Sequence, residues 1–338
     1  MKRAYWFGAA LFGAALIVVI IALLTNPITI PDAPAASLEI DGRLLLAEST
    51  GISTLDLATG QLRPIFTAEP GGQVTAAMRS PDGQLLALAY APPAGLIQFG
   101  YTNLYVLPAD GSGMLRLLVD GHQRDVIAGP VWAADGRSIV YYRSAPSANG
   151  LSTERSVERV ALDGGDPQVV VPGAFSPDLS RDGARLAYIA SPDLTSPDHL
   201  TAAGVDGSGA VTLAGEQQFL TIDRPRFSPD GRWIVFSADE APKVRAARID
   251  WAGLLGGVRV ASAHTIPTND LWRIAAAGGA PVRLLFLQAD GVAADYSPDG
   301  THIAVIGSSG LVVMNADGSG AVRIDHGHTF TSVEWLRN

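Results

Sequence analysis

The sequence predicts an all-β fold: a six-bladed β-propeller closed by pairing of its N- and C-terminal strands, preceded by one N-terminal transmembrane helix. Three observations predict it. A turn-then-strand phrase recurs, a second phrase follows each copy of the first, and an uncharged apolar run opens the chain. The clearest copies of the first phrase are "RSPDGQLLALAY" (79–90), "FSPDGRWIVFSAD" (227–239) and "YSPDGTHIAVIG" (296–307). In the middle copy Pro229 presets φ for a type I turn, Asp230 can accept from nearby amides, and Gly231 tolerates positive φ. The flanks "RPRF" and "RWIVFSA" carry the aromatic and β-branched residues of strands, so each copy opens a hairpin.

The Asp-Gly pairs begin at Asp82, Asp135, Asp182, Asp230 and Asp299, at spacings of 53, 47, 48 and 69 residues. Periods of this size indicate four-stranded blades. The second phrase, as in "LPADGSGMLRLL" (107–118) and "MNADGSGAVRI" (314–324), reads as the hairpin between third and fourth strands. Five complete units result. The N-terminal "DGRLLLAESTGISTLDLATGQLRPI" (41–65) supplies three strands of a sixth and the C-terminal "FTSVEWL" (330–336) its missing first strand, so that joining them leaves no open edge.

These repeats resemble the TolB-type propeller repeat, a WD-repeat-like unit shared with prolyl-oligopeptidase-like propellers. The resemblance covers roughly residues 38–338 and implies the fold, not an activity. TolB carries an α/β domain before its propeller, whereas here the apolar segment and a short linker lead straight into the repeats.

Composition narrows the function classes. A formal charge of −9 and a pI near 5.1 exclude a sequence-independent nucleic-acid binder, which needs a basic surface. With no cysteine, disulfides, thiolate metal sites and a Cys nucleophile are excluded. Residues 4–24 hold neither charge nor proline, and as a helix they span roughly 30 Å. Lys2 and Arg3 precede them and no further Lys or Arg occurs before Arg43, which directs the N-terminus to the cytoplasm and the remainder outside. The competing reading is a signal peptide cleaved near "APAAS" (33–37), but the run exceeds an ordinary h-region and the cut would lie well past its end. The expected organisation is a cytoplasmic tip (1–3), a transmembrane signal-anchor (4–24), a Pro-rich linker (25–37) and the propeller (38–338).

Candidate site residues fall in three groups. On the innermost strands a column of Ala77, Pro130, Pro177, Pro225 and Ala294 is followed by Met78, Val131, Asp178, Arg226, Asp295 and, in the closing strand, Glu334. Proline there requires an edge strand beside the central channel. Asp178, Arg226 and Asp295 then form either an interblade ion-pair set or a charged lining that meets a ligand. A second group lies on the face formed by the blade-to-blade links and the loops between second and third strands. It comprises Tyr101 in "APPAGLIQFGYTN" (91–103), and Trp251, Leu254 and Leu255 in the long blade-five insertion, where "VRAARID" and "VRVASAH" flank "WAGLLGG" as a possible hairpin. Such exposed apolar residues suit a binding surface, although they could equally fold back as a lid.

Histidines form the third group. His122, His199, His264, His326 and His328 map to the same loop face, with only His302 expected inside a strand. Some TolB-like lyases hold a metal with funnel histidines, so the resemblance admits a metal ion, while scattered surface histidines need none. Other chemistry is not signalled. The repeated aspartates are explained by their turns, the sialidase-type S-x-D-x-G-x-x-W box is missing a residue, and no G-x-S-x-G elbow occurs. The expected function is a non-catalytic, membrane-anchored extracytoplasmic module without a required cofactor, binding a protein, peptide or glycan at the loop-rich face. The alternative is a metal-dependent lyase or hydrolase with its histidines in the funnel.

Overall fold

The computed structural model describes residues 30–93, 101–122, 124–147, 153–192, 196–241, 268–325 and 327–337. Six four-stranded antiparallel sheets make up the unit Asp32–Asn338. Blade one holds β1 (Arg43–Glu48), β2 (Gly51–Asp56) and β3 (Leu62–Thr67). Blade two runs through β4 (Gln73–Arg79), β5 (Leu85–Ala91), β6 (Asn103–Pro108) and β7 (Arg116–Val119). Blade three comprises β8 (Val126–Trp132), β9 (Ser138–Pro146), β10 (Thr153–Ala161) and β11 (Gln168–Pro172). In blade four are β12 (Ala174–Leu179), β13 (Arg185–Ala190), β14 (His199–Gly204) and β15 (Val211–Ala214). Blade five has β16 (Phe219–Phe227), β17 (Trp233–Glu240), β18 (Asn269–Ala275) and β19 (Val282–Ala289). The sixth has β20 (Ala293–Tyr296), β21 (His302–Gly307), β22 (Gly310–Asn315) and β23 (Val322–Asp325). Finally β24 (Phe330–Trp335) returns to blade one and pairs with β1, placing Leu44 opposite Trp335 and Leu46 opposite Val333. The ring closes as the sequence predicts.

The recurring turn has one hydrogen-bond plan. Ser228 Oγ donates to Asp230 Oδ1 at 2.6 Å, the same oxygen accepts the Arg232 N–H at 3.0 Å, and the Trp233 N–H donates to Ser228 Oγ at 3.0 Å. Gly231, at φ 68°, closes the turn onto the Ser228 carbonyl. Ser80, Ser180 and Ser297 repeat the bond to Asp82, Asp182 and Asp299. Blade three has Ala133 in place of the serine, yet the Asp135 bond to the Arg137 N–H persists at 2.9 Å. The Ser228 hydroxyl, then the Arg232 amide, hold the Asp230 carboxyl down to about 2. These aspartates are thus engaged in shaping the hairpins.

Second strands such as β5, β13 and β17 are buried along most of their length because each blade packs against a neighbour on both faces. That is why "LLALAYA" and "WIVFSADE" read as near-continuous apolar runs without alternation. Between blades four and five, Ile189, Phe219, Phe236 and Trp272 share one such core. The unit begins at Asp32, so residues 32–37, read from sequence as linker, lie on the last blade. Asp32 bridges in parallel to Arg323 of β23, the Ala33 N–H donates to the Arg323 carbonyl at 3.0 Å, and Ala35 is buried. Among the described residues no helix is long and apolar enough to cross a membrane, and the run 4–24 lies outside them.

Candidate functional site: the central channel and its loop-face mouth

First strands β4, β8, β12, β16, β20 and β24 each pair on one side only, within their own sheet. Their other edges face the axis, where a missing proline N–H costs no ladder bond. Ala77, Pro130, Pro177, Pro225 and Ala294 accordingly line one cavity of about 190 Å³.

Directly before each of the three prolines stands a residue with positive φ: Gly129 (57°), Ser176 (47°) and Arg224 (52°). Each lies in a bulge, between Ala128 and Val131, Phe175 and Asp178, and Asp223 and Arg226. Proline disfavours helical conformations in the residue before it, and a left-handed non-glycine residue costs roughly 1–3 kcal/mol. Specific contacts hold Ser176 and Arg224 in that state. Ser176 Oγ donates to Asp223 Oδ1 across the blade boundary, and the Arg224 N–H donates to the same oxygen at 2.7 Å. Arg224 Nη1 reaches the carbonyls of Gly291 and Thr331, both at 3.2 Å, joining blade five to the link before β20 and to the closing strand. Nη2 has no partner among the described residues, Nε stands 3.8 Å from Asp223 Oδ2, and the side chain is 37 % exposed. Tyr142 lines the cavity and packs edge-on to Phe175, whose ring lies under the Arg155 guanidinium at 4.6 Å. Burial, reinforced by the Asp223 charge, pushes the Tyr142 phenol up.

Deeper in the channel, nearer the Ser-Pro-Asp-Gly turns, the predicted acid–base–acid set assembles. Arg226 Nη1 lies 2.9 Å from Asp178 Oδ1, and its Nε 3.6 Å from Asp295 Oδ1. The carboxylates also bind the next blade. Asp178 accepts the Phe227 N–H at 2.7 Å, Asp295 the Trp335 N–H at 2.8 Å, and Glu334 the Arg79 N–H at 2.7 Å. In each case the acceptor satisfies an edge amide that no sheet partner reaches. Burial works against the Arg226 charge, but Asp178, then Asp295 and Glu334, outweigh it and move its pKa up. Burial likewise raises Asp178, pushes Asp295 to about 6 and lifts Glu334 from its ordinary 4.5 to about 8, with the Asp295 charge adding at Glu334.

A pH dependence follows. A carboxyl whose folded pKa lies above its unfolded value favours the fold while protonated, and that contribution is lost as pH rises through the folded pKa. Stability is therefore expected to fall as pH rises from near 4.5 to about 8, the window set by Glu334. Glu334→Gln should flatten this decline while retaining the acceptor for Arg79. Thermal melts across that range check it, and an equally steep decline in the variant would remove Glu334 as its source.

Of the other sequence candidates, those among the described residues do not line this mouth. Tyr101 is buried, at 7 % exposure, before β6. Trp251, Leu254, Leu255, His264 and His326 lie outside the described residues. His122, at φ 50°, sits in the link between β7 and β8 beside Asp120. His199, expected in a loop, opens β14, because pairing with Ala190 extends that strand to it. His328 Nδ1 donates to Asp325 Oδ2 at 2.8 Å, and the ring stacks on Phe330. The Asp325 bond raises its pKa. Among the described residues no three His, Asp or Glu side chains are grouped to hold a metal ion. Sequence reading missed Ser176, Asp223, Arg224 and Tyr142. For two of them the available signal was the position before the proline column.

No family model and no curated protein matches this chain. Among solved structures, a putative TolB from Agrobacterium tumefaciens aligns with a TM-score of 0.56 at 16% identity, covering 88% of this chain and 99% of that one. The fold is TolB-like. A nidogen/laminin complex aligns at 0.60 with 11% identity, covering 86% and 97%, and an oligogalacturonate lyase in complex with manganese at 0.50 with 15% identity, covering 87% and 75%. At these identities the likeness establishes the fold alone.

Proposed function

We propose that the protein is a membrane-anchored, extracytoplasmic binding propeller that takes a protein, peptide or glycan at the loop-face mouth of its channel and catalyses no reaction on it. One observation carries the binding site. Two non-glycine residues, Ser176 and Arg224, are held in left-handed conformations at the same cavity, and the Arg224 fork keeps donors unused. Strain that surrounding contacts maintain is characteristic of functional positions. The apolar run 4–24 behind Lys2 and Arg3 supports the anchor and its orientation.

Peptide and glycan arrays probed with the full chain in nanodiscs test the reading, with Ala76→Trp as a plugged control, since Ala76 is half-buried and lines the cavity. Retained ligands should bind the plugged protein at least about tenfold more weakly at an unchanged melting temperature. Equal retention would move the site elsewhere, and conversion of a retained ligand would replace the binding reading with an enzymatic one. Protease protection of native membranes checks placement, where a propeller shielded on the cytoplasmic side would overturn it.

A further inference from the structure

Resting on that reading, we propose that the group held at the channel mouth is the free C-terminal carboxylate of a peptide chain ending in a small apolar residue, gripped by Arg224 with Tyr142 beside it.

Arg224 is oriented before any ligand arrives. Both Nη1 bonds go to backbone carbonyls of other elements, which fixes the guanidinium, while Nη2 and Nε retain their donors. A fixed fork with two parallel donors matches a carboxylate. The cavity's charged lining consists of Asp223, Arg224 and Arg226, and because Arg226 is taken up by Asp178 and Asp295 below, Arg224 is the cation that faces the mouth. Asp223 Oδ1 accepts from the Ser176 hydroxyl and the Arg224 amide, and its Oδ2 stands 3.8 Å from Arg224 Nε, an ion pair outside hydrogen-bond distance that an incoming carboxylate would have to share. Two further acids, Asp198 and Asp290, line the adjoining hollow with Phe175 and Asn269, and Asp198 is engaged by Ser191 and the Ile222 amide, with the Arg155 charge adding.

The walls favour a peptide over a sugar. Most of the cavity's hydroxyls are committed to the protein: Thr75 donates to the Ala89 carbonyl, Thr331 to the Ala47 carbonyl, Ser176 to Asp223, and Ser332 accepts the Ala77 amide. A saccharide would have to pair several buried hydroxyls with these partly engaged groups, and buried polar groups left unpaired are costly. Alanine and proline surfaces instead suit a small aliphatic side chain. The inward edges of the first strands could meet a peptide backbone, in the manner of other sites that capture chain termini.

The test uses the full chain in nanodiscs and fluorescent pooled peptides ending in Ala or Val, each pool made as free acid and as C-terminal amide. Free acids should bind at least about tenfold more tightly than amides. Arg224→Gln should abolish that preference, and Tyr142→Phe, which keeps the ring, should reduce it. Because Arg224 also bridges blades, its variant counts only at an unchanged melting temperature, and Tyr142→Phe otherwise decides. Equal binding of acids and amides, no binding of either pool, or an acid preference surviving in both variants would each overturn the proposal. A neutral glycan displaced by the Ala76→Trp plug would overturn it while leaving the mouth as the binding site. Indifference of every ligand to the plug would overturn the site itself.

Discussion

Replacing Trp335 by alanine is expected to cost about 3 to 5 kcal/mol, the range for truncating a buried aromatic. Trp335 is 4 % exposed and packs in the core shared by Leu44, Leu46, Ala304 and Val313, where blade six meets blade one. The chain has been fitted closely around it: a Cβ on Gly42 would come within 2.7 Å of the indole nitrogen. Deleting residues 329–338 should do more, abolishing the cooperative transition, because β24 supplies the inner strand of blade one. It would strip β1 of its inner partner and remove the Glu334 acceptor from the Arg79 amide and the Ser332 hydroxyl from the Ala77 amide. It would also take away the Thr331 carbonyl that holds Arg224. Thermal unfolding by near-UV circular dichroism measures both variants. Unchanged melting temperatures would show that terminal closure does not hold the ring.

Closure was legible because each turn has a local chemical signature. Serine, proline, aspartate and glycine fix a hairpin through contacts within five residues, so the hairpins could be counted and the incomplete blade recognised. The proline column was legible for a similar reason, since only an edge strand accommodates it. From there Asp178, Arg226 and Asp295 fell into register on neighbouring blades, and they do meet. What remained hidden depends on distant partners. The left-handed state of Arg224 rests on its chain neighbour Asp223 and on Gly291 and Thr331, and the last two adjoin it only in the closed ring. Tyr142 belongs to β9, whose sequence gives no sign that it reaches the channel. Prolines 27, 31 and 34 suggest a tether, and composition could not reveal that the Arg323 carbonyl of β23 would take the Ala33 amide.

Arg226→Met should destabilise the propeller by about 3 kcal/mol, the lower end for breaking a buried ion pair, because 23 % of the arginine side chain still reaches solvent. The loss comes from the carboxylates left behind. Asp178 is 3 % exposed and Asp295 14 %, and without the guanidinium between them both would ionise against burial and against each other. Each still has a backbone amide to accept, from Phe227 and Trp335 respectively, so the side chains cannot turn away without abandoning an edge N–H. The penalty should thus grow with pH, as the variant's carboxyls are forced to ionise, and shrink in acid, where they hold their protons. Adding Asp178→Asn to Arg226→Met should restore part of the loss, since an amide oxygen can still accept from Phe227 while carrying no charge. Denaturant titrations of the single and double variants at two pH values measure the coupling. A single variant as stable as the parent at both pH values would mean that the trio contributes nothing to folding. The buried charges would then need a role in ligand binding to explain them.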